Sequence, residues 1–227
     1  MAGADVQEIH CKTLLNKIDV LRFPFRWTMN PYRGCRHACT YCYARPTHEF
    51  WGMDSGRDFD TRVFAKVNAP EVLRKELKRP SWRREAIAIG TASDPYEPAE
   101  AEYEITRKLL HVLRDFQNPA SITTKGVLVR RDVDILAELS QVADVHVNFS
   151  IGTINAQVWK MMEPGTPNPI ARLETMQYLV ENGISAGVMM APLLPGITDD
   201  EANIQAVVEA AHEHDAQYLG ANVLFWK

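Results

Sequence analysis

Three of the chain's four cysteines lie within "GCRHACTYCYARP" (34–46), at Cys35, Cys39 and Cys42; the fourth is far upstream, at Cys11. Their spacing is C-x3-C-x2-C. Disulfides fit poorly, because one thiol of the three is left over, and the N-terminus "MAGADVQEIHCK" is acidic and lacks a signal-peptide core. The expected compartment is the reducing cytoplasm, where clustered cysteines more often bind metal or react than pair. A structural zinc site needs four ligands, with His37, His48 or Cys11 as the fourth. Zinc ligands usually come as two separated C-x2-C pairs, however, and no second pair exists here. An iron–sulfur cluster suits the spacing better. Thiolates hold the irons of a [4Fe–4S] cube, so three thiolates leave one iron open to a small molecule, which points to catalysis. Cys11, isolated, reads as an inert thiol.

A loop of this kind needs a rigid frame. The 227 residues, 46% apolar and 24% charged, suffice for one large domain with a sizeable core. A net charge of −4 gives no global attraction to nucleic acid or to an anionic membrane. The longest apolar runs, such as "AGVMMAPLLPG", are broken by Pro and Gly and fall short of a bilayer span.

Six short apolar runs read as buried strands: "FRWTM" (25–29), "AIAIG" (86–90), "ASITT" (120–124), "VHVNFS" (145–150), "SAGVMM" (185–190) and "YLGANVLF" (218–225). Amphipathic segments lie between them. One starts at Glu100 and carries Ile105, Leu109, Leu110 and Leu113; one starts at Arg131. One follows the cap pair Asn168-Pro169 and stops at Asn182-Gly183; one opens on the capping box Thr198–Glu201. Strands alternating with helices predict parallel pairing with both sheet faces covered. The fold class is therefore α/β, a partial (β/α)6 TIM-like barrel of six parallel strands. The cysteine loop directly follows the first strand, at the end where such barrels carry their sites. Residues 1–24 read as an N-terminal extension to a barrel domain over 25–227, and 46–82 as an irregular insertion with one helix near Glu71–Lys78. The sequence stops at "LFWK" directly after the sixth strand. This fits either a minimal barrel or one truncated after its last strand.

The cysteine spacing with Tyr41 before the third cysteine resembles the signature of the radical S-adenosylmethionine (SAM) superfamily. "NPYRGCRHACTYCYAR" (30–45), "SDPYEPAE" (93–100), "SITTKGVLVRRDVDIL" (121–136), "MEPGTPNP" (162–169) and "MMAPLLPGITDDE" (189–201) are similar to its spore photoproduct lyase-like branch, whose members are often labelled DNA repair photolyases. The resemblance implies a [4Fe–4S] cluster on Cys35, Cys39 and Cys42, with the amino and carboxylate groups of SAM on the open iron. It implies reductive cleavage of SAM to methionine and a 5′-deoxyadenosyl radical that abstracts hydrogen from substrate. A reductant such as flavodoxin or ferredoxin would supply the electron.

The resemblance also implies roles at the strand ends. Tyr41 would pack between cluster and adenine, and Ser93 and Asp94 would meet the SAM amino group. Lys125 and Ser150 would meet its carboxylate, and Met190 would line the adenine wall. Each has a plainer structural reading: loop packing, a turn at Asp94-Pro95, a capped strand end, core methionine. Glu163 would organise the loop after the fourth strand, and His37 reads as a solvated loop residue.

In the lyase branch a cysteine after the second strand returns hydrogen to the product radical. The equivalent position here is near Thr91, and no cysteine stands there. Tyr43 and Tyr96 are the candidate hydrogen relays. Nucleic acid as substrate would need local basic surface, as at "KRPSWRR" (78–84), at Arg33, Arg36 and Arg45 and at Arg130-Arg131, with Phe50, Trp51 and Trp82 as stacking faces; a solvated charged surface explains the same residues. Two non-catalytic readings compete: a zinc- or cluster-stabilised binding module, and a truncated, inactive relative.

Overall fold

Six parallel strands form the frame of the computed structural model, which describes residues 5–18 and 25–224. In chain order the strands are β1 (Asp5–Ile9), β2 (Asn16–Lys17), β3 (Trp27–Met29), β4 (Tyr32–Arg33), β5 (Arg62–Lys66), β6 (Ile87–Ile89), β7 (Ala120–Thr124), β8 (Val145–Ser150), β9 (Ser185–Leu193) and β10 (Leu219–Val223). The helices are α1 (Arg57–Thr61), α2 (Ala69–Leu77), α3 (Glu100–Tyr103), α4 (Ile105–Phe116), α5 (Val133–Ser140), α6 (Ala156–Met162), α7 (Pro169–Glu181) and α8 (Glu201–Glu213). The main sheet runs β10-β9-β8-β7-β6-β3-β2, parallel except for β2. Its six parallel strands are those expected from the apolar runs. Consecutive strands are neighbours, so each crossover advances the sheet by one position. Among the described residues the sheet stays open, with β10 and β2 at its edges. Residues 225–227, where the sixth run ends, and 19–24 of the expected N-terminal extension lie outside the described residues.

The sheet's two faces differ, and the difference positions the site. In register, Ile89 pairs with Ile122, Ile122 with Val147 and Phe149 with Val188. These residues are fully buried with Leu109, Leu113, Leu136, Leu173 and Val207 of the covering helices. Each such side chain contributes about 1.5–3 kcal/mol relative to exposure. On the other face the register sets Ser121 beside His146, Thr123 beside Asn148 and Ser150 beside Met189. His146 is exposed there, so the expectation of two covered faces holds for only one. The concave face is polar and opens toward the strands' C-terminal ends.

Local signals place the helices, with two corrections. Asn168 caps α7, accepting from Ile170 N at 2.7 Å and Ala171 N at 3.1 Å. The helix expected from Glu100 is broken at Glu104, whose φ of 51° is left-handed. The break lets the Glu100 carboxylate turn inward and accept from Thr106 N at 2.9 Å and Arg107 N at 3.2 Å, capping α4. The Thr198 capping box does not form either. Asp200 caps α8, while the Thr198 hydroxyl accepts from Leu194 N at 2.8 Å. The segment 46–82 is also more ordered than expected. Its β5 lies between β1 and β4 in a second sheet, so the N-terminal segment is stitched to it.

Candidate metal centre and cofactor site

β3 delivers the chain to the C-terminal edge of the main sheet, and β4 turns it into the cysteine loop. Gly34 makes the turn at φ +80°, where a Cβ would sit 2.5 Å from the Arg62 carbonyl, so the position needs glycine. Cys35 N then donates to Phe59 O at 3.0 Å. Arg45 closes the loop from the far side: its guanidinium donates to Cys39 O at 3.1 and 2.8 Å and pairs with Asp60 at 2.9 Å. The loop after α6 holds the other flank, through Thr40 N to Met162 O at 2.9 Å and Gly165 N to His37 O at 3.1 Å.

All three thiols of the loop are free; Cys35 and Cys39 are buried and Cys42 is half-buried. Burial raises each pKa, that of Cys39 to about 12 against the pull of Lys125. A thiolate here therefore needs a cationic partner to replace lost hydration. Backbone N–H groups are already aimed at the sulfurs, from Asp94 and His37 at Cys35 and from Ala44 at Cys42. Such bonds tune iron–sulfur clusters. The residues thus fit a cluster in donor type and burial.

The zinc reading finds less support. His37 faces Asp94, His48 sits between Phe59 and Phe64, and the Cys11 backbone is bonded to Asn68. Among the described residues, no three His, Cys, Asp or Glu side chains are grouped as one ion requires.

Beside Cys39 lies a compact charged cluster. Lys125, just past β7, donates to the Ser150 hydroxyl at the end of β8, and Ser150 Oγ donates to Ala191 O at 2.8 Å. Lys125 Nζ is 3.3 Å from Glu163 Oε1, which also accepts the Tyr41 hydroxyl. Glu163 Oε2 meets Arg172 Nη2 at 2.6 Å. Arg172 is fully buried in α7 and also donates to Ser150 O at 2.9 Å and Pro167 O at 2.8 Å. Burial alone would raise the Glu163 carboxyl; Lys125, Arg172 and the Tyr41 hydroxyl outweigh it and hold it near 2. The sequence reading missed Arg172, since an arginine in an amphipathic helix reads as solvent-facing.

Other candidates fall elsewhere. The Ser93 hydroxyl donates to Tyr32 O at 2.8 Å. Asp94 is buried and its oxygens accept from Thr124 Oγ1 at 2.6 Å, Tyr96 N at 2.9 Å and Lys125 N at 2.7 Å. His37 Nδ1 lies 3.2 Å from Asp94 Oδ2, so His37 is buried against a carboxylate and not solvated. Tyr43 is 65% exposed and donates to the Thr91 carbonyl. Tyr96 belongs to the main apolar core, with a hydroxyl that finds no hydrogen-bond partner among the described residues. Met190 also lies in that core. The register puts Met189, not Met190, beside Ser150 on the concave face, a one-residue offset that flips sides in a strand.

Lys78, Arg79, Arg83 and Arg84 are exposed, whereas the other basic candidates are engaged internally. Arg36 pairs with Glu97, Arg45 with Asp60, and Arg131 with Glu100 and Asp132; Arg33 covers Trp51 at 4.3 Å and Arg130 covers Tyr178 at 3.8 Å. Trp82 packs edge-on against Trp27 and donates to Asn118 at 2.7 Å, whereas Phe50 is 86% exposed.

The fold is a sequentially ordered, open, parallel α/β partial barrel with a three-thiol loop after its first parallel strand. The chain belongs to the radical SAM superfamily, which matches residues 29–206. It is 44% identical over 207 residues to an uncharacterized protein of Mycobacterium tuberculosis, covering 91% of this chain and 61% of that one. It is 30% identical over 177 residues to an uncharacterized protein of Methanocaldococcus jannaschii, covering 78% and 63%. The chain thus spans about three-fifths of the length of these relatives. Among solved structures, its fold is similar to that of a spore photoproduct lyase variant with bound AdoMet and dinucleoside spore photoproduct. The TM-score is 0.71 at 18% identity, over 98% of this chain and 63% of that one. Another variant of the same lyase gives 0.68 at 17%, over 95% and 60%. Among the described residues no helix is long and apolar enough to cross a membrane.

Proposed function

We propose that this chain is a radical SAM enzyme holding a [4Fe–4S] cluster through Cys35, Cys39 and Cys42 and binding SAM beside it. The observation that carries the reading is a loop of three free thiols with Cys39 and Cys42 close to Lys125, which is bonded to Ser150 across the ends of the neighbouring parallel strands β7 and β8. With both groups bound and one electron from a reductant such as flavodoxin or ferredoxin, the cluster and SAM would supply reductive cleavage of SAM to methionine and a 5′-deoxyadenosyl radical for hydrogen abstraction. Lys125 offers the methionine carboxylate a cation held in place by Ser150 and Glu163. Tyr41, fixed through its hydroxyl to Glu163, also lines a small cavity with Gly152, Pro192 and Leu194.

The dinucleoside in the structural neighbour supports a nucleic-acid substrate as a second reading, with exposed Phe50 as a stacking face. Hydrogen return would then differ from the lyase, since no cysteine stands near Thr91.

Anaerobic reconstitution followed by metal and sulfide analysis tests the cluster. About four irons and four sulfides per chain are expected; about one zinc and no sulfide would establish the binding-module reading instead.

A further inference from the structure

The spacer between the first two cysteines contains Arg36 and His37, and both side chains run to carboxylates in the loop after β6. Arg36 Nε lies 3.1 Å from Glu97 Oε2 and Nη2 lies 3.4 Å from Oε1. Glu97 is fully buried and also accepts Ala99 N at 2.6 Å. His37, itself buried, faces Asp94 at 3.2 Å. Asp94 also accepts Thr124, Tyr96 N and Lys125 N, so the carboxylate that His37 faces is itself held in place. The backbone between these residues is pinned from a third side, since a Cβ on Gly165 would lie 2.1 Å from Arg36 O. The next residue, Ala38, is held at φ 52°, a left-handed conformation that non-glycine residues rarely keep without support.

We propose that Arg36 and His37 are positioning residues, forming a two-point lock onto Glu97 and Asp94 that fixes the backbone between Cys35 and Cys39 before any cluster is present. The inference rests on reading these cysteines as cluster ligands. It gives Asp94 a part in anchoring the cysteine loop. The lock lowers the ordering entropy that cluster assembly would otherwise meet. It also keeps the Asp94 and His37 N–H groups aimed at the Cys35 sulfur.

Thiol alkylation of the cluster-free chain tests it, with iodoacetamide as probe, mass spectrometry as readout and Cys11 as internal reference. In the Arg36→Ala/His37→Ala double variant, Cys35 and Cys39 should react about tenfold faster than in the wild type, with the Cys11 rate and far-UV circular dichroism unchanged. An Arg36→Lys/His37→Gln variant, which keeps both donors, should restore slow reaction. Should the double alanine variant unfold, raising Cys11 as well, Glu97→Gln decides: selective acceleration at Cys35 and Cys39 supports the lock. Rates at these two thiols equal to wild type in a folded double variant, or in Glu97→Gln, overturn it. A wild-type chain that takes up no iron would refute the cluster reading while leaving the thiol result intact.

Discussion

Lys125 Nζ and Glu163 Oε1 meet at 3.3 Å, joining the end of β7 to the loop after α6. The same carboxylate accepts Tyr41 from the cysteine loop through Oε1 and Arg172 from α7 through Oε2. One buried acid therefore orients two groups aimed at the site while a fully buried arginine anchors it.

The cysteine assignment is position-specific. Alanine at Cys35, Cys39 or Cys42 should abolish iron uptake on reconstitution, whereas Cys11→Ala should load as the wild type does. Iron and sulfide content per chain measures this, and a Cys11 requirement would contradict the ligand set.

Glu163→Gln keeps the side chain's size and removes its charge. Arg172 is then left buried without its counter-ion, which costs about 3–5 kcal/mol. The urea midpoint should fall accordingly. Lys125→Met leaves the Glu163–Arg172 pair whole, so stability should change less. SAM affinity, read by equilibrium dialysis against the cluster-loaded chain, should drop about tenfold or more for the loss of one charge-assisted contact.

The Glu163 carboxyl lies near 2 in the folded chain against an ordinary 4.5. A depressed acid stabilises the fold above its ordinary value, and that contribution is lost as pH falls from about 4.5 toward 2. Urea midpoints on either side of this window should therefore fall more for the wild type than for Glu163→Gln. Equal losses would mean that Glu163 is not ion-paired in solution.

Gly165→Ala puts a methyl group 2.1 Å from Arg36 O and 3.0 Å from His37 O. The cysteine loop must move to accommodate it. The variant should keep its helical circular dichroism and release iron to a chelator faster than the wild type; equal release would show the contact to be slack.

The strands were legible because each is a continuous apolar run bounded by turn residues, and β7 and β8 coincide with the expected "ASITT" and "VHVNFS". The thiols were legible because spacing alone carries ligand chemistry. What the sequence hid depends on long-range geometry. β1 and β5 are polar-edged segments whose pairing is remote, so no local periodicity announces it. Arg172 looks like any helical arginine until α7 turns it toward Ser150 and Glu163. Met189 and Met190 differ by one residue, and only the register with β8 tells which faces the cavity. Asp94 is legible as a loop residue, but its bonds to Thr124 and Lys125 join two strand ends that only the sheet brings together.

The most direct test of the central claim is release of 5′-deoxyadenosine by the anaerobically reconstituted, reduced chain incubated with SAM. The wild type should release it and the Cys39→Ala variant should not. A folded wild-type chain with its full iron and sulfide that releases no more than Cys39→Ala would contradict the enzymatic reading.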